Sequence, residues 1–138
     1  MGVLLCVAIP VLAATPKPGK WQGSVPIVAK GLTQTVAVNF STVRPNAGGQ
    51  RVKGFSLGSF KLDSCTGGEH FATSGFKATV KPKVTEGKFK FTETIGDKTL
   101  KVTGRFLTKT QAKGTAAFTV SSGATCATGK RNWAAELK

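Results

Sequence analysis

GKFKFTETIGDKTLKVTGRF, residues 87–106, is the stretch whose reading decides the fold. Apolar and polar residues alternate on both sides of Ile95-Gly-Asp-Lys98. Phe89 and Phe91 share one parity before that turn; Leu100, Val102, Gly104 and Phe106 share one parity after it. A period of two belongs to a strand with one buried face, and a short Gly-Asp interruption between two such runs signals a hairpin. The stretch predicts two antiparallel strands with phenylalanines toward a core and Lys88, Lys90, Lys101 and Arg105 toward water.

The same pattern extends outward from this hairpin. TVAVNF, residues 35–40, places Val36, Val38 and Phe40 on one face, and Arg44-Pro-Asn-Ala-Gly-Gly then breaks the run as a turn. RVKGFSLGSFKL, residues 51–62, predicts a long strand. Its inward set changes from Phe55 and Leu57 to Phe60 and Leu62, which predicts a bulge near Gly58. FKATVKPKV, residues 76–84, puts Phe76, Ala78, Val80, Pro82 and Val84 on one face. Pro82 has no N–H to donate, so it weakens that strand or confines it to an edge. AKGTAAFTV, residues 112–120, turns Ala112, Gly114, Ala116, Phe118 and Val120 inward.

Nowhere do apolar residues recur at spacings of three and four over three turns, so no helix is predicted. Gly-x-Phe recurs as GSF, GKF and GRF without a fixed period, a repeated strand-start device and not a solenoid. Short strands separated by glycine-rich turns predict one all-β domain: an antiparallel β-sandwich or a closed or partly closed β-barrel, mostly a meander, of about eight strands.

The two ends of the chain carry different information. The first fourteen residues, MGVLLCVAIPVLAA, contain no charge and end in small residues. They read as a secretory signal peptide over 1–14, followed by the all-β domain over 15–138. No Lys or Arg precedes the apolar run, which implies that the true start lies further upstream. The run is too short to span a bilayer as a helix, so no transmembrane segment is expected and the domain is expected to be secreted, extracellular or in the cell envelope. Cleavage removes Cys6 and leaves Cys65 and Cys126, which in an exported protein are expected to form one disulfide. At the other end, Arg131, Trp133, Ala135 and Leu137 alternate with Asn132, Ala134, Glu136 and Lys138 after Gly129. This predicts a last strand with Trp133 buried. Trp21, in GKWQGSV, holds the matching place in the first strand. The two strands are expected to pair and close the sheet, with Cys126 tying that closure to the loop at Cys65.

Cys126-Ala-Thr-Gly129-Lys-Arg-Asn-Trp133-Ala-Ala135 forms a terminal C-x-x-G-x-x-x-W-x-A motif. Together with the signal segment, the Gly-x-Phe strands and a mid-chain cysteine in a Gly/Ser/Thr loop, it resembles small exported all-β proteins of actinobacterial type. The resemblance covers most of residues 15–138. It implies fold and location, and no activity.

Catalysis finds no foothold. His70, the one histidine, sits in the loop after Cys65 beside Glu69. A nucleophile and an orienting acid would have to join it, and on an extended chain the neighbouring Asp63 and Ser64 point apart. Asp63, Glu69, Glu86, Glu93, Asp97 and Glu136 are too scattered for a paired-carboxylate site. One histidine and a disulfide leave no zinc set, and the glycines lack a phosphate-loop lysine, so neither metal nor cofactor is expected. Aromatic stacking platforms are also missing: there is no tyrosine and the phenylalanines fall mostly on inward parity, Phe71 being the exception that fits neither face.

Charge remains. Twenty Lys and Arg stand against six Asp and Glu, a net +14 that lies wholly on residues 15–138. Strands 76–84, 87–93, 99–106 and 112–120 are expected side by side. Their outward faces would then present Lys77, Lys81, Lys83, Lys88, Lys90, Lys101, Arg105 and Lys113 among threonines, with no carboxylate. The expected function is a secreted, cationic, non-catalytic binding module for anionic polymers or envelope surfaces, without sequence-specific reading of nucleic acid. The alternative is a structural or inhibitor-like protein that meets a protein partner through a loop such as CTGGEH, residues 65–70, with the charge serving solubility and unpaired edges.

Overall fold

The computed structural model describes residues 14–44, 49–63, 65–66, 71–73 and 75–138. The expected signal segment, 1–14, and the 65–70 loop with His70 thus lie, apart from Ala14, Cys65 and Thr66, outside the described residues. So do most of the Pro45–Gly49 turn and Ser64.

Among the described residues eleven strands form, and no helix. They are β1 (Gly19–Ala29), β2 (Leu32–Val43), β3 (Arg51–Leu57), β4 (Phe60–Leu62), β5 (Phe71–Thr73) and β6 (Phe76–Lys77), then β7 (Lys88–Ile95), β8 (Lys98–Phe106), β9 (Gln111–Ser122), β10 (Ala124–Ala127) and β11 (Arg131–Leu137). Eight of them make one antiparallel path, β6-β3-β2-β1-β11-β9-β8-β7, with β10 paired to β9. The sheet curls into a half-barrel around its own apolar face, the partly closed of the expected architectures. A twisted sheet of this width buries one face by curling when no second sheet covers it.

The parity reading holds strand by strand. Val36, Val38 and Phe40, Phe89, Leu100, Val102 and Phe106, and Ala112, Ala116, Phe118 and Val120 are all buried. The hairpin of residues 87–106 pairs Ile95 with Lys98 across Gly96 and Asp97 and runs in register to Lys88 and Arg105. At the centre of the hollow Phe40 touches five rings: Trp21 at 5.6 Å, Phe55 and Trp133 at 5.7 Å, Phe89 at 5.9 Å and Phe106 at 6.3 Å between centroids. Offset and edge-on aromatic pairs add to the area that they bury. Both tryptophans satisfy their indole N–H. Trp21 Nε1 donates to Thr42 Oγ1 at 3.0 Å, and Trp133 Nε1 donates to the carbonyls of Thr103 and Thr115 at 3.1 and 3.2 Å.

Three details of the strand reading are corrected. The first and last strands do pair, Trp21 opposite Leu137 and Gly23 opposite Ala135, but the pairing does not close the barrel. It lies in mid-sheet and joins the meander β1-β2-β3 to the meander β7-β8-β9 through β11. The open edges are β6 and β7. Their gap is spanned by a side chain: the Glu93 carboxylate accepts from the N–H of Thr79 at 2.8 Å, from the N–H of Val80 at 3.4 Å and from the Thr79 hydroxyl.

The bulge belongs to Gly54 and not to Gly58. Ser56 pairs with Asn39 and Lys53 with Ser41, so Gly54 and Phe55 together oppose Phe40, with Gly54 at φ 64°. That left-handed conformation favours glycine and switches the inward parity from Val52 to Phe55. At Gly58 the chain leaves the main sheet instead, and β4 pairs with β5 in a small sheet of its own.

The strand expected over 76–84 ends at Lys77. Beyond it the segment follows β3 through separate bonds, Ala78 N–H to Phe55 O at 2.8 Å, Val52 N–H to Pro82 O at 3.0 Å and Val84 N–H to Gln50 O at 2.9 Å. Pro82 serves there only as an acceptor, the role open to it at an edge.

The Cys65–Cys126 disulfide is formed and closes a separation of 61 residues. It ties the chain after β4 to β10. Gln34 adds a second tie, its side chain donating to Lys61 O and accepting from Lys61 N–H, both at 2.8 Å. Phe71, which had no place in the parity reading, lies half-buried on β5 opposite Leu62, at the margin of the core.

Candidate functional site

All eight basic residues of the expected face are exposed, but they do not form one lattice. Lys77 and Lys81 belong to the β3 edge: Lys77 pairs with Ser56, and the Lys81 carbonyl accepts from Arg51 Nη1 at 2.8 Å. The expected order of four adjacent strands fails at this point, because the backbone of 76–84 pairs with β3 and meets β7 only through the Glu93 side chain. Strands β7, β8 and β9 are adjacent as expected.

Within those three strands the register sorts the outward residues into cross-strand rows. Lys88 faces Arg105, and Arg105 faces Lys113. The next row is Lys90, Thr103 and Thr115; then come Thr92, Lys101 and Ala117; the last is Thr94, Thr99 and Thr119. Positive charge is therefore concentrated at the Lys88 end and absent from the far end, where hydroxyls take over. Thr103 and Thr115 share a hydrogen bond at 2.6 Å, and Thr94 and Thr99 share one at 2.9 Å. β8 and β9 contain no carboxylate, and Glu93 of β7 has inward parity and is engaged with Thr79 and Val80. Glu86, in the turn before β7, is exposed beside this end of the sheet.

The triple row borders a shallow hollow of about 750 Å³ on the outer face. Lys88, Arg105 and Lys113 supply its charge, and Thr103, Thr115, Asn132 and Ser24 supply neutral donors from β8, β9, β11 and β1. Its floor is glycine. Gly104 and Gly114 face each other across β8 and β9; a Cβ on Gly104 would enter the Phe89 ring, and one on Gly114 would collide with the Thr103 carbonyl. Glycine inside a strand marks this kind of close backbone approach and tight coiling. Trp133 of β11 pairs with Gly114, and its buried indole reaches the Thr103 and Thr115 carbonyls beneath this floor. A second hollow of about 460 Å³, lined by Lys83, Thr85, Lys88 and Lys90, shares Lys88, Thr103 and Gly104 with the first. The two adjoin along these residues. On the opposite side a further hollow shares Lys113 and Ala134 and brings in Glu136, which ends the purely cationic stretch.

Ser24 and Asn132 were not legible as site residues, because no local signal places β11 beside β9 with β1 next to it. Lys83 returns to the site by the turn in which Thr85 pairs with Lys88. Lys101 lies two rows from Arg105, and Lys77 and Lys81 lie on the other edge of the half-barrel. Among the described residues no helix is long and apolar enough to cross a membrane. Compared with protein-family models, with curated proteins and with solved structures, the chain matches none.

Proposed function

We propose that this is a secreted, non-catalytic binding domain that engages polyanions through the outer face of β7–β9. The observation that carries this reading is the row Lys88–Arg105–Lys113. Like charges directly opposite on neighbouring strands destabilise a sheet, and here three stand in line on a domain of net charge +14. A counter-anion removes that penalty, and it does so where the surface is concave. Export is supported by the apolar leader and by the disulfide, since such bonds persist in oxidising compartments.

Retention of the domain on immobilised polyphosphate or heparin tests the proposal. Binding by counterion release makes log K fall linearly with log salt concentration, so elution should shift steeply with ionic strength. Charge reversal at Lys88, Arg105 and Lys113 should abolish retention at low salt. Reversal at Lys17, Lys30, Lys53 and Lys130, which removes more charge, should weaken it less. Absence of retention of the unaltered domain refutes the function.

One observation favours the alternative of a protein partner. Leu32 is 71% exposed at the tip of the β1–β2 hairpin and, with Phe71 and Lys61, lines a hollow of about 600 Å³. A partner held there would be insensitive to reversal at Lys88, Arg105 and Lys113, and sensitive to reversal at Lys30, which lines the same hollow.

A further inference from the structure

Extending the polyanion reading, on which it rests, we infer that the groove takes a linear oxyanion polymer, a phosphate- or sulfate-bearing chain without aromatic bases, laid across the strands and not along them. The direction follows from the lining. Lys83 and Thr85 begin the groove, β7, β8 and β9 each contribute one cation to the Lys88–Arg105–Lys113 row, and Asn132 and Ser24 continue it over β11 and β1. Along any one strand the charge falls away: outward on β8, Arg105 is followed by Thr103, Lys101 and Thr99. A chain lying along a strand would therefore leave most of the row unused. A chain lying across meets a cation at each strand step, about 4.8 Å apart. That spacing is of the same order as the charge spacing along one nucleic-acid strand, about 3.4 Å. Consecutive anionic groups can thus sit near consecutive strands.

The class of ligand follows from what the groove offers and lacks. Arg105 presents a planar fork that matches tetrahedral oxyanions two bonds at a time, flanked by the ammonium groups of Lys88 and Lys113. Ser24, Asn132 and whichever of the hydrogen-bonded Thr103 and Thr115 hydroxyls accepts from the other can donate to further oxygens of the same chain. No exposed aromatic side chain lines the groove for stacking a base, since Phe89 of the smaller hollow is buried. The one aromatic residue of the larger hollow is Trp133, 1% exposed, with its indole N–H already given to the Thr103 and Thr115 carbonyls beneath the surface. Single-strand binders that hold nucleic acid tightly add base stacking to charge. This groove offers charge and hydroxyls alone.

The test compares two triple variants of equal net charge, Lys88→Gln/Arg105→Gln/Lys113→Gln and Lys77→Gln/Lys81→Gln/Lys101→Gln, by titration calorimetry. The probes are linear polyphosphate, a heparin-derived sulfated oligosaccharide and poly(dT) of matched charge. Between about 50 and 200 mM salt each lost phosphate contact reduces the slope of log K against log salt by about 0.7–0.9. The row variant is expected to lose about 2–3 units of slope and at least tenfold in affinity for polyphosphate and heparin, while the second variant changes by less than one unit. Poly(dT) should bind no more tightly than polyphosphate. Thermal midpoints accompany each titration; the row variant, relieved of like-charge pairs, should melt no lower than the unaltered domain. Equal losses in the two variants overturn the groove and leave diffuse polyanion binding standing. Markedly tighter binding of poly(dT) overturns the assignment to base-free chains. Failure of the unaltered domain to bind any of the three overturns the function itself.

Discussion

Reduction of the Cys65–Cys126 bond should lower the thermal midpoint by about 15 °C. The bond closes 61 residues of sequence, from the end of β4 to β10, and the enclosed chain includes β5 through β9. In the chain-entropy account a loop of this length removes about 14 cal/mol/K from the unfolded ensemble, or about 4 kcal/mol at 25 °C. A domain of this size shifts its midpoint by about 4 °C per kcal/mol, which gives the figure above. Native contacts would remain without the bond, among them the backbone bridge of Cys65 with Cys126, the Phe60–Phe118 ring pair, Gln34 to Lys61, and Thr125 N–H to Thr66 Oγ1 at 2.9 Å. The folded state therefore keeps its shape, and the loss falls mainly on the reference state. Differential scanning calorimetry of oxidised and reduced protein, with free thiols counted in the reduced sample, measures the shift. Urea unfolding supplies an independent mark. The released chain exposes more surface on unfolding, so the m-value should rise on reduction. A Cys65→Ala/Cys126→Ala variant should match the reduced protein. A shift of less than about 3 °C with both thiols shown to be free, and an unchanged m-value, would refute loop closure as the source of stability.

Trp133→Ala should cost about 3–5 kcal/mol, since the ring is buried among Phe40, Phe55 and Phe89; chemical denaturation measures this, and a loss below about 1 kcal/mol would remove Trp133 from the core. Gly114→Ala should destabilise by about 1–3 kcal/mol, because the added methyl group meets the β8 backbone and not a side chain that can turn aside; an unchanged urea midpoint would show that the strands have room to separate. Arg105→Thr should stabilise the free domain by about 0.2–1 kcal/mol at low salt by relieving both cross-strand like-charge pairs, and the gain should vanish when polyphosphate is present. Glu93 is pushed up by partial desolvation, but its bonds from Thr79 and Val80 outweigh this and hold the carboxyl below its ordinary 4.5. A depressed carboxylate contributes stability that is present above its unfolded value and is lost as pH falls through the folded one, so Glu93→Gln should be less stable than the unaltered domain at pH 7 and converge with it below pH 4.5. A stability difference independent of pH would mean that Glu93 does not span the β6–β7 gap as an anion.

Much of this molecule is written locally in its residues. Alternation over two-residue steps identifies each main strand, and because side chains on a strand point strictly up and down, it also identifies Phe40, Phe89, Phe106, Phe118 and Trp133 as core and the eight basic residues as exposed. The 87–106 hairpin is legible for the same reason, its partner strands being only a turn apart. The expectation of export, with Cys6 lost in a leader, was enough to pair Cys65 with Cys126, and the structure forms that bond. Parity says nothing of which strand lies beside which, and that is where tertiary structure decided. Placement of β11 between β1 and β9, departure of β4 from the main sheet at Gly58 and attachment of 76–84 to β3 all depend on contacts far apart in sequence. The candidate site shows the division clearly. That Lys88, Arg105 and Lys113 face water follows from alternation within each strand, whereas their standing in one row follows from the register between strands. That register brings Gly104 opposite Gly114 and Gly114 opposite Trp133, and it needs glycine there because a Cβ on Gly104 would enter the Phe89 ring and one on Gly114 would collide with the Thr103 carbonyl.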